Sequence, residues 1–314
     1  MPSLASRLTV PSPRLTLGVV SVPWVAVKAI TQYYTTGTVY QKTDPEFDTL
    51  YKNVLVAVLA TLATTASATD AKLMPYPMNA MFKKQRGRGA AKDMPRFGEP
   101  LTTYGKYYPT QLFEAVEAYR ELVNQGYEVI VMGDSCGSNL AMAVARYAAY
   151  PEEAEAHFSS YTQFDWDFSS VAAPRHLILL APWTSPTCAA VPINKKGQLY
   201  IKGSEKDEVA SFVEFNDTNY KEHWAEVPAF NGNGSVLYIY GEREYFRASQ
   251  EQFAEECGLH NFKSLMQPGG IHDCLFVVEV LDISSKKGQA AMVRGEHRKK
   301  YNFGAIADYL DEIL

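Results

Sequence analysis

The chain has 314 residues, 46% of them hydrophobic and 21% charged, enough to bury one large α/β core or two small ones. A formal net charge of −5 excludes an overall basic footprint for nucleic acid. The four cysteines, Cys136, Cys188, Cys257 and Cys274, show no CxxC spacing, which argues against a zinc site or a thioredoxin-like motif; four in a chain this long do not make a disulfide scaffold, and they read as buried or half-buried thiols. No metal and no organic cofactor is implied.

Residues 1–75 are apolar and helix-compatible, with few strand signals. Leu15 to Val27 is uncharged, between Arg14 and Lys28. It is short of the roughly 20 residues that a membrane span needs, and Pro23 is expected to interrupt it. A second uncharged stretch, Asn53 to Thr69, is rich in Ala and Thr and only weakly hydrophobic. The region reads as a signal-anchor, an interfacial helix or part of a substrate-covering cap; a soluble or peripherally attached chain is favoured over an anchored one. Residues 76–108 lose periodicity to Met, Pro, Gly and basic residues and read as loop. The basic cluster there, Lys83, Lys84, Arg86, Arg88 and Lys92, reads as a solvated loop, with a phosphate or anionic-lipid contact as the minor alternative.

From Thr110 the pattern becomes regular. Leu112, Val116, Tyr119 and Leu122 recur at helical spacing up to Gly126. Glu128 to Met132 is a short apolar run fit for a buried strand. A tight turn follows, then a helix over Asn139 to Tyr150, ended by Pro151. Further strands are expected at 176–181, 235–240 and 262–266, with helices near 249–257 and 305–314. Strands alternating with helices predict a mostly parallel sheet flanked by helices. The domain reading is a helical N-terminal or cap region over 1–75 and an α/β core over 76–314. A polar, aromatic-rich insertion at about 186–231 is placed to cover the site. Two N-x-S/T sequons, at Asn216 and Asn233, matter only if this part of the chain enters a secretory lumen.

The strongest local signal is Gly133-Asp134-Ser135-Cys136-Gly137, a G-x-S-x-G with a strand before it and a helix after it. The turn lifts a serine hydroxyl above the sheet edge and aims the backbone N–H of Cys136 at a developing oxyanion. A serine needs a base, since its hydroxyl is a poor nucleophile at neutral pH. All six histidines follow Ser135: His157, His176, His223, His260, His272 and His297. His272 stands out, because it follows Pro268-Gly-Gly270 in a loop just after the fourth strand. His176 and His297 read as structural or solvated. Glu244, just beyond the third strand, is the candidate carboxylate, in the chain order Ser, acid, His. Glu242 is the runner-up. Asp273 is poorly placed to stand behind the ring, and Asp134 reads as an anchor of the turn.

With these residues, the chain resembles the hormone-sensitive-lipase-like α/β-hydrolases, and more narrowly the fungal steryl acetyl hydrolases. The stretches that carry this are Tyr108-Pro-Thr-Gln-Leu112, Val129 to Ser135 with Gly137-Ser-Asn-Leu140, Ala181-Pro-Trp183, Tyr240 to Glu244, and Gly269-Gly-Ile-His-Asp273. The resemblance implies an α/β-hydrolase fold with a helical cap. It implies a serine esterase that removes short acyl or acetyl groups from sterol or other lipid-like esters, in the cytoplasm or at the endoplasmic-reticulum membrane. Ser135, Glu244 and His272 match the family's triad.

There are two departures. The family turn is usually Gly-Asp-Ser-Ala-Gly-Gly; here Cys136 replaces Ala, and Ser138 replaces the last Gly, with crowding of the helix start as the expected consequence. The family also carries a His-Gly-Gly-Gly-type loop that completes the oxyanion hole. This chain has no histidine before His157 and no Gly-Gly before Gly269. Either an early strand and its loop are lost, or another segment stands in for them, Arg86-Gly-Arg-Gly89 being the one with suitable glycines. The alternative reading is therefore a catalytically impaired relative that binds a hydrophobic ligand or a partner.

Overall fold

A computed structural model describes residues 11–43, 49–65, 70, 107–187, 197, 200–201, 206–216, 220–256, 261–280 and 286–314. The basic cluster, the Arg86 to Gly89 segment, Cys188, Cys257, His260 and nearly all of the 76–108 loop lie outside the described residues, as does part of the 186–231 insertion.

The principal elements in chain order are α1 (Pro13–Tyr34), α2 (Leu50–Thr65), α3 (Thr110–Asn124), β1 (Val131–Asp134), α4 (Cys136–Ala149), α5 (Pro151–Phe158), β2 (His176–Leu180), α6 (Lys206–Val213), β3 (Ser235–Gly241), α7 (Arg247–Glu256), β4 (Phe262–Gln267), α8 (Lys286–Val293) and α9 (Tyr301–Ile313). The sheet order is β1-β2-β3-β4, with every pair parallel. The apolar runs of β2 and β3 explain this placement, because a central parallel strand must be apolar on both faces. Leu177, Leu179, Val236 and Tyr238 point to one face and pack with Val116, Met142 and Phe253. Ile178, Leu180, Leu237 and Ile239 point to the other and meet Leu275 and Tyr309. Each such side chain contributes about 1.5–3 kcal/mol by leaving water.

Several features differ from expectation, among them the start of α9 at Tyr301 rather than near 305. β1 covers 131–134 rather than 128–132, because its ladder to β2 begins at Val131 and runs to Asp134. Among the described residues β1 is an edge strand with Met132 46% exposed, and no earlier strand lies among them. Helix α4 starts at Cys136, not at 139, so the helix begins directly after Ser135. Pro23 does not interrupt α1, which runs for 22 residues. Pro23 deprives only the Val19 carbonyl of its partner, and both residues are exposed, so water can supply the missing bond.

Ser12 caps α1 by accepting from Leu15 N at 3.1 Å, with Pro13 at the first helical position. The Asp70 carboxylate accepts from both the amide and the hydroxyl of Ser12, each at 2.7 Å. A Cβ on Gly18 would sit 2.1 Å from Thr65 Oγ1, so the glycine is what lets α1 approach α2. This hairpin reaches the core through Tyr40, whose hydroxyl donates to the Gly269 carbonyl, three residues before His272.

Candidate active site

β1 ends at Asp134 and α4 begins at Cys136, so Ser135 alone makes the turn. Its backbone is left-handed, φ 56° and ψ −115°, a strained conformation for a residue with a Cβ. Neighbours hold it there. Ser135 N donates to the Leu180 carbonyl at 2.8 Å, and Trp183 N donates to the Ser135 carbonyl at 3.2 Å. A Cβ on Gly133 would lie 2.2 Å from the Gly137 carbonyl oxygen, so the first glycine of the motif is obligatory. Ser138 does not crowd the helix start. Its fully buried hydroxyl lies 2.8 Å from the Gly133 carbonyl and 3.0 Å from that of Leu180, and it accepts from Leu180 N at 3.1 Å. The serine that replaces the usual glycine thus ties the turn to β2.

The loop after β4 brings His272 over the turn. Its Nε2 is 2.7 Å from Ser135 Oγ. Its Nδ1 is 3.0 Å from Glu244 Oε2. The Glu244 side chain is 1% exposed and held at both oxygens. Gly241 N donates to Oε1 at 2.8 Å, and Gln250 Nε2 donates to Oε2 at 2.7 Å. Gln250 also donates to the Pro182 carbonyl at 3.1 Å. The ring of Phe246 meets the imidazole edge-on, with centroids 5.2 Å apart.

The three residues singled out from the sequence therefore stand in one hydrogen-bonded row. The runner-up Glu242 is used elsewhere: it accepts from Gly269 N at 2.7 Å and steadies the histidine loop. His176 bonds Ser235 Oγ at 3.0 Å, and His157 bonds the Tyr108 hydroxyl at 2.8 Å. His223 is buried beside Arg146; burial first, then that charge, pushes it down to about 3. The His297 side chain lies outside the described residues.

Gln250 escaped the sequence reading, and Asp273 was read only as a poor triad acid. Gln250 lies inside α7, where nothing in the local pattern marks it. Asp273 does not stand behind the ring, as expected, but its Oδ1 is 3.4 Å from Nε2, the nitrogen that faces the serine. Electrostatics at the site follow. Burial lowers the proton affinity of His272, but the Asp273 charge, the hydrogen bond and charge of Glu244, and the Asp134 charge outweigh it and raise its pKa to about 9. Burial, then the charge and hydrogen bond of Asp273, push Asp134 up to about 9.

Such a row can do a definite kind of chemistry. An acceptor at Nδ1 fixes the tautomer, Nε2 is left to take a hydroxyl proton, and the same acceptor stabilises the cation formed. The N–H of Cys136 sits in the first turn of α4, where amides have no acceptor within the helix, so it is available to an anion at the serine.

A sequence model of a family described as having the α/β-hydrolase fold matches residues 105–275, more than half of the chain. A Schizosaccharomyces pombe protein named "Putative steryl acetyl hydrolase mug81" is 24% identical over 232 residues, which cover 68% of this chain and 56% of that protein. The chain thus spans little more than half the length of this curated relative. Among solved structures, carboxyl esterase 2 from Tuber melanosporum aligns at 15% identity and TM-score 0.42, covering 62% of this chain and 63% of that one. A thermostable esterase from Pseudomonas putida ECU1011 aligns at 19% identity and TM-score 0.43, covering 61% and 59%.

Proposed function

Because the chain belongs to this α/β-hydrolase family, we propose that it is a serine hydrolase of carboxylic esters that works through an acyl-enzyme. The observation that carries the reading is the unbroken row from Ser135 Oγ through His272 to Glu244, at 2.7 and 3.0 Å. Ser135 Oγ attacks the ester carbonyl as Nε2 takes its proton, and the imidazolium then gives that proton to the leaving alcohol. Glu244 keeps Nδ1–H in place and offsets the cation's charge. The Cys136 amide bonds the developing oxyanion. Water then repeats the sequence and frees the acid.

We propose a short acyl group, acetyl above all, on a hydrophobic alcohol of the steryl or lipid kind; the name of the fission-yeast relative supports this choice. The N-terminal helices would act as cap and as lipid contact. Among the described residues, Pro13–Lys42 is long and apolar enough to cross a membrane by length and composition. Leu17, Val20, Trp24, Val27 and Tyr34 make an exposed stripe along α1.

Hydrolysis of p-nitrophenyl acetate, butyrate and octanoate, measured for the wild type beside Ser135→Ala, tests the reading. Acetate should be preferred, and the variant should lose on the order of 10³-fold or more in kcat. Equal rates for the two proteins would overturn it. No turnover by a folded wild type would favour the impaired, ligand-binding alternative.

A further inference from the structure

Asp273 has a backbone φ of 55°, a left-handed conformation unusual for a residue with a side chain. Its carboxylate lies at the wrong edge of the imidazole for a triad acid: Oδ1 is 3.4 Å from the nitrogen that must take the serine proton. Against a neutral ring, whose Nδ1–H goes to Glu244, an anionic oxygen there would face a lone pair. Against a ring protonated at Nε2, the same contact is attractive. Asp134 supplies a second oddity. Asp134, Glu244 and Asp273 line one small cavity. Oδ1 of Asp134 and Oδ1 of Asp273 are both enclosed, without a conventional hydrogen-bond partner. Carboxylates are acceptors only, so two carboxyls enclosed at one small cavity call for a proton between them, since adjacent buried carboxyls do not both ionise.

We propose that Asp134 and Asp273 share a single proton, and that the Asp273 carboxylate holds another on Nε2 of His272, so that this pair of positioning residues sets the pH at which Ser135 is engaged. The groups around the ring agree with this inventory. Asp134 and Cys136 come from the serine turn, Glu244 from the segment after β3, and Asp273 and Cys274 from the histidine's own loop. Tyr40, Lys52, Glu242, Arg243 and Glu279 stand one layer further out, around Tyr40 and Cys274. The acid pair thus keeps the base loaded at neutral pH, and the hydroxyl is activated as the Nε2 proton leaves.

The proposal rests on the serine-hydrolase reading for its effect on rate, but the placement of protons is a property of the folded chain. The test is an NMR titration of the His272 imidazole in the full chain, its signal identified by loss in His272→Asn, alongside the pH profile of kcat/KM for p-nitrophenyl acetate. Asp273→Asn and Asp273→Gly both tolerate a left-handed backbone, so removal of the charge is separable from misfolding. Each should lower the imidazole midpoint by about one pH unit or more, and Asp273→Asn should move the acid limb of kcat/KM down with it. Asp134→Asn, which replaces the shared proton with an amide donor and leaves the negative charge on Asp273, should move the midpoint far less than either Asp273 variant. An unmoved midpoint in both Asp273 variants overturns the proposal whether or not ester is cleaved. A fallen midpoint without any hydrolysis upholds the acid pair and removes the esterase reading instead.

Discussion

Glu244 divides its carboxylate among three donors: Gly241 N, Gln250 Nε2 and His272 Nδ1. Gln250 and His272 share the same oxygen, so the amide fixes the carboxylate in the rotamer that the imidazole needs. Gln250→Leu removes that bond with little change of volume. A hydrogen bond to a charged group contributes about 1.5–3 kcal/mol, so kcat should fall roughly tenfold or more with KM little changed. Steady-state kinetics on a short acyl ester would show this, and a rise in KM alone would contradict it. The row of Ser135, His272 and Glu244 was legible in the sequence because each lies just beyond a strand whose apolar run marks it as part of the parallel sheet. Gln250 was not, and Asp273 was only in part. The first acts from within a helix whose facing is set by tertiary packing, and the second through a left-handed φ that no local pattern announces.

The histidine loop is clamped from the N-terminal side. Gly269 has a φ of 66°, and a Cβ there would lie 2.3 Å from Val39 Cγ1. Its carbonyl accepts from Tyr40, over whose ring the Lys52 ammonium sits at 5.0 Å. Tyr40→Phe leaves the packing in place but frees the loop carbonyl, so kcat should drop several-fold while the melting temperature falls only slightly, by the equivalent of about 1 kcal/mol. Gly133→Ala should fail to fold, since the clash is with backbone that cannot rotate away. Periodicity located α3 and the strands to within a few residues. It misplaced the starts of β1 and α4 because the ladder to β2 and the helix start at Cys136, not local propensity, set those boundaries. It also read Pro23 as a break, although an exposed carbonyl can turn to water without ending a helix.

Charge and burial together give the fold a pH dependence with a definite sign. His272 binds its proton more tightly when folded, at about 9 against the ordinary 6.5, so its stabilisation is complete below 6.5 and is lost as pH rises towards 9. Asp134 keeps to about 9 a proton that the unfolded chain releases near 3.8, so stability also declines through that window. His223 works in the opposite sense: held neutral down to about 3, it penalises folding below 6.5. The melting temperature should therefore fall between neutral pH and pH 9, and Asp134→Asn should flatten that fall. A melting temperature that rises over this range would contradict the assignment. On the outer face, the α1 stripe should bind lipid. Flotation with phosphatidylcholine vesicles should carry the wild type, and Val20→Glu with Trp24→Glu should weaken the association roughly tenfold or more. The sheet's two-sided burial was readable from continuous apolar strands; the exposure of α1 was not, because an apolar helix packed in a core and one facing outward have the same composition.

The activation of Ser135 can be tested without knowledge of the natural ester. A fluorophosphonate reacts with an activated serine: Oγ bonds to phosphorus, fluoride leaves, and the serine proton passes to the base. Intact-mass analysis of the full chain, followed by peptide mapping, should find one phosphonyl group, on the peptide that contains Ser135. There should be none on Ser135→Ala and much slower labelling of His272→Asn. A folded wild type that stays unlabelled even above the pH at which His272 gives up its proton, or a label that persists on Ser135→Ala, would rule out an activated Ser135.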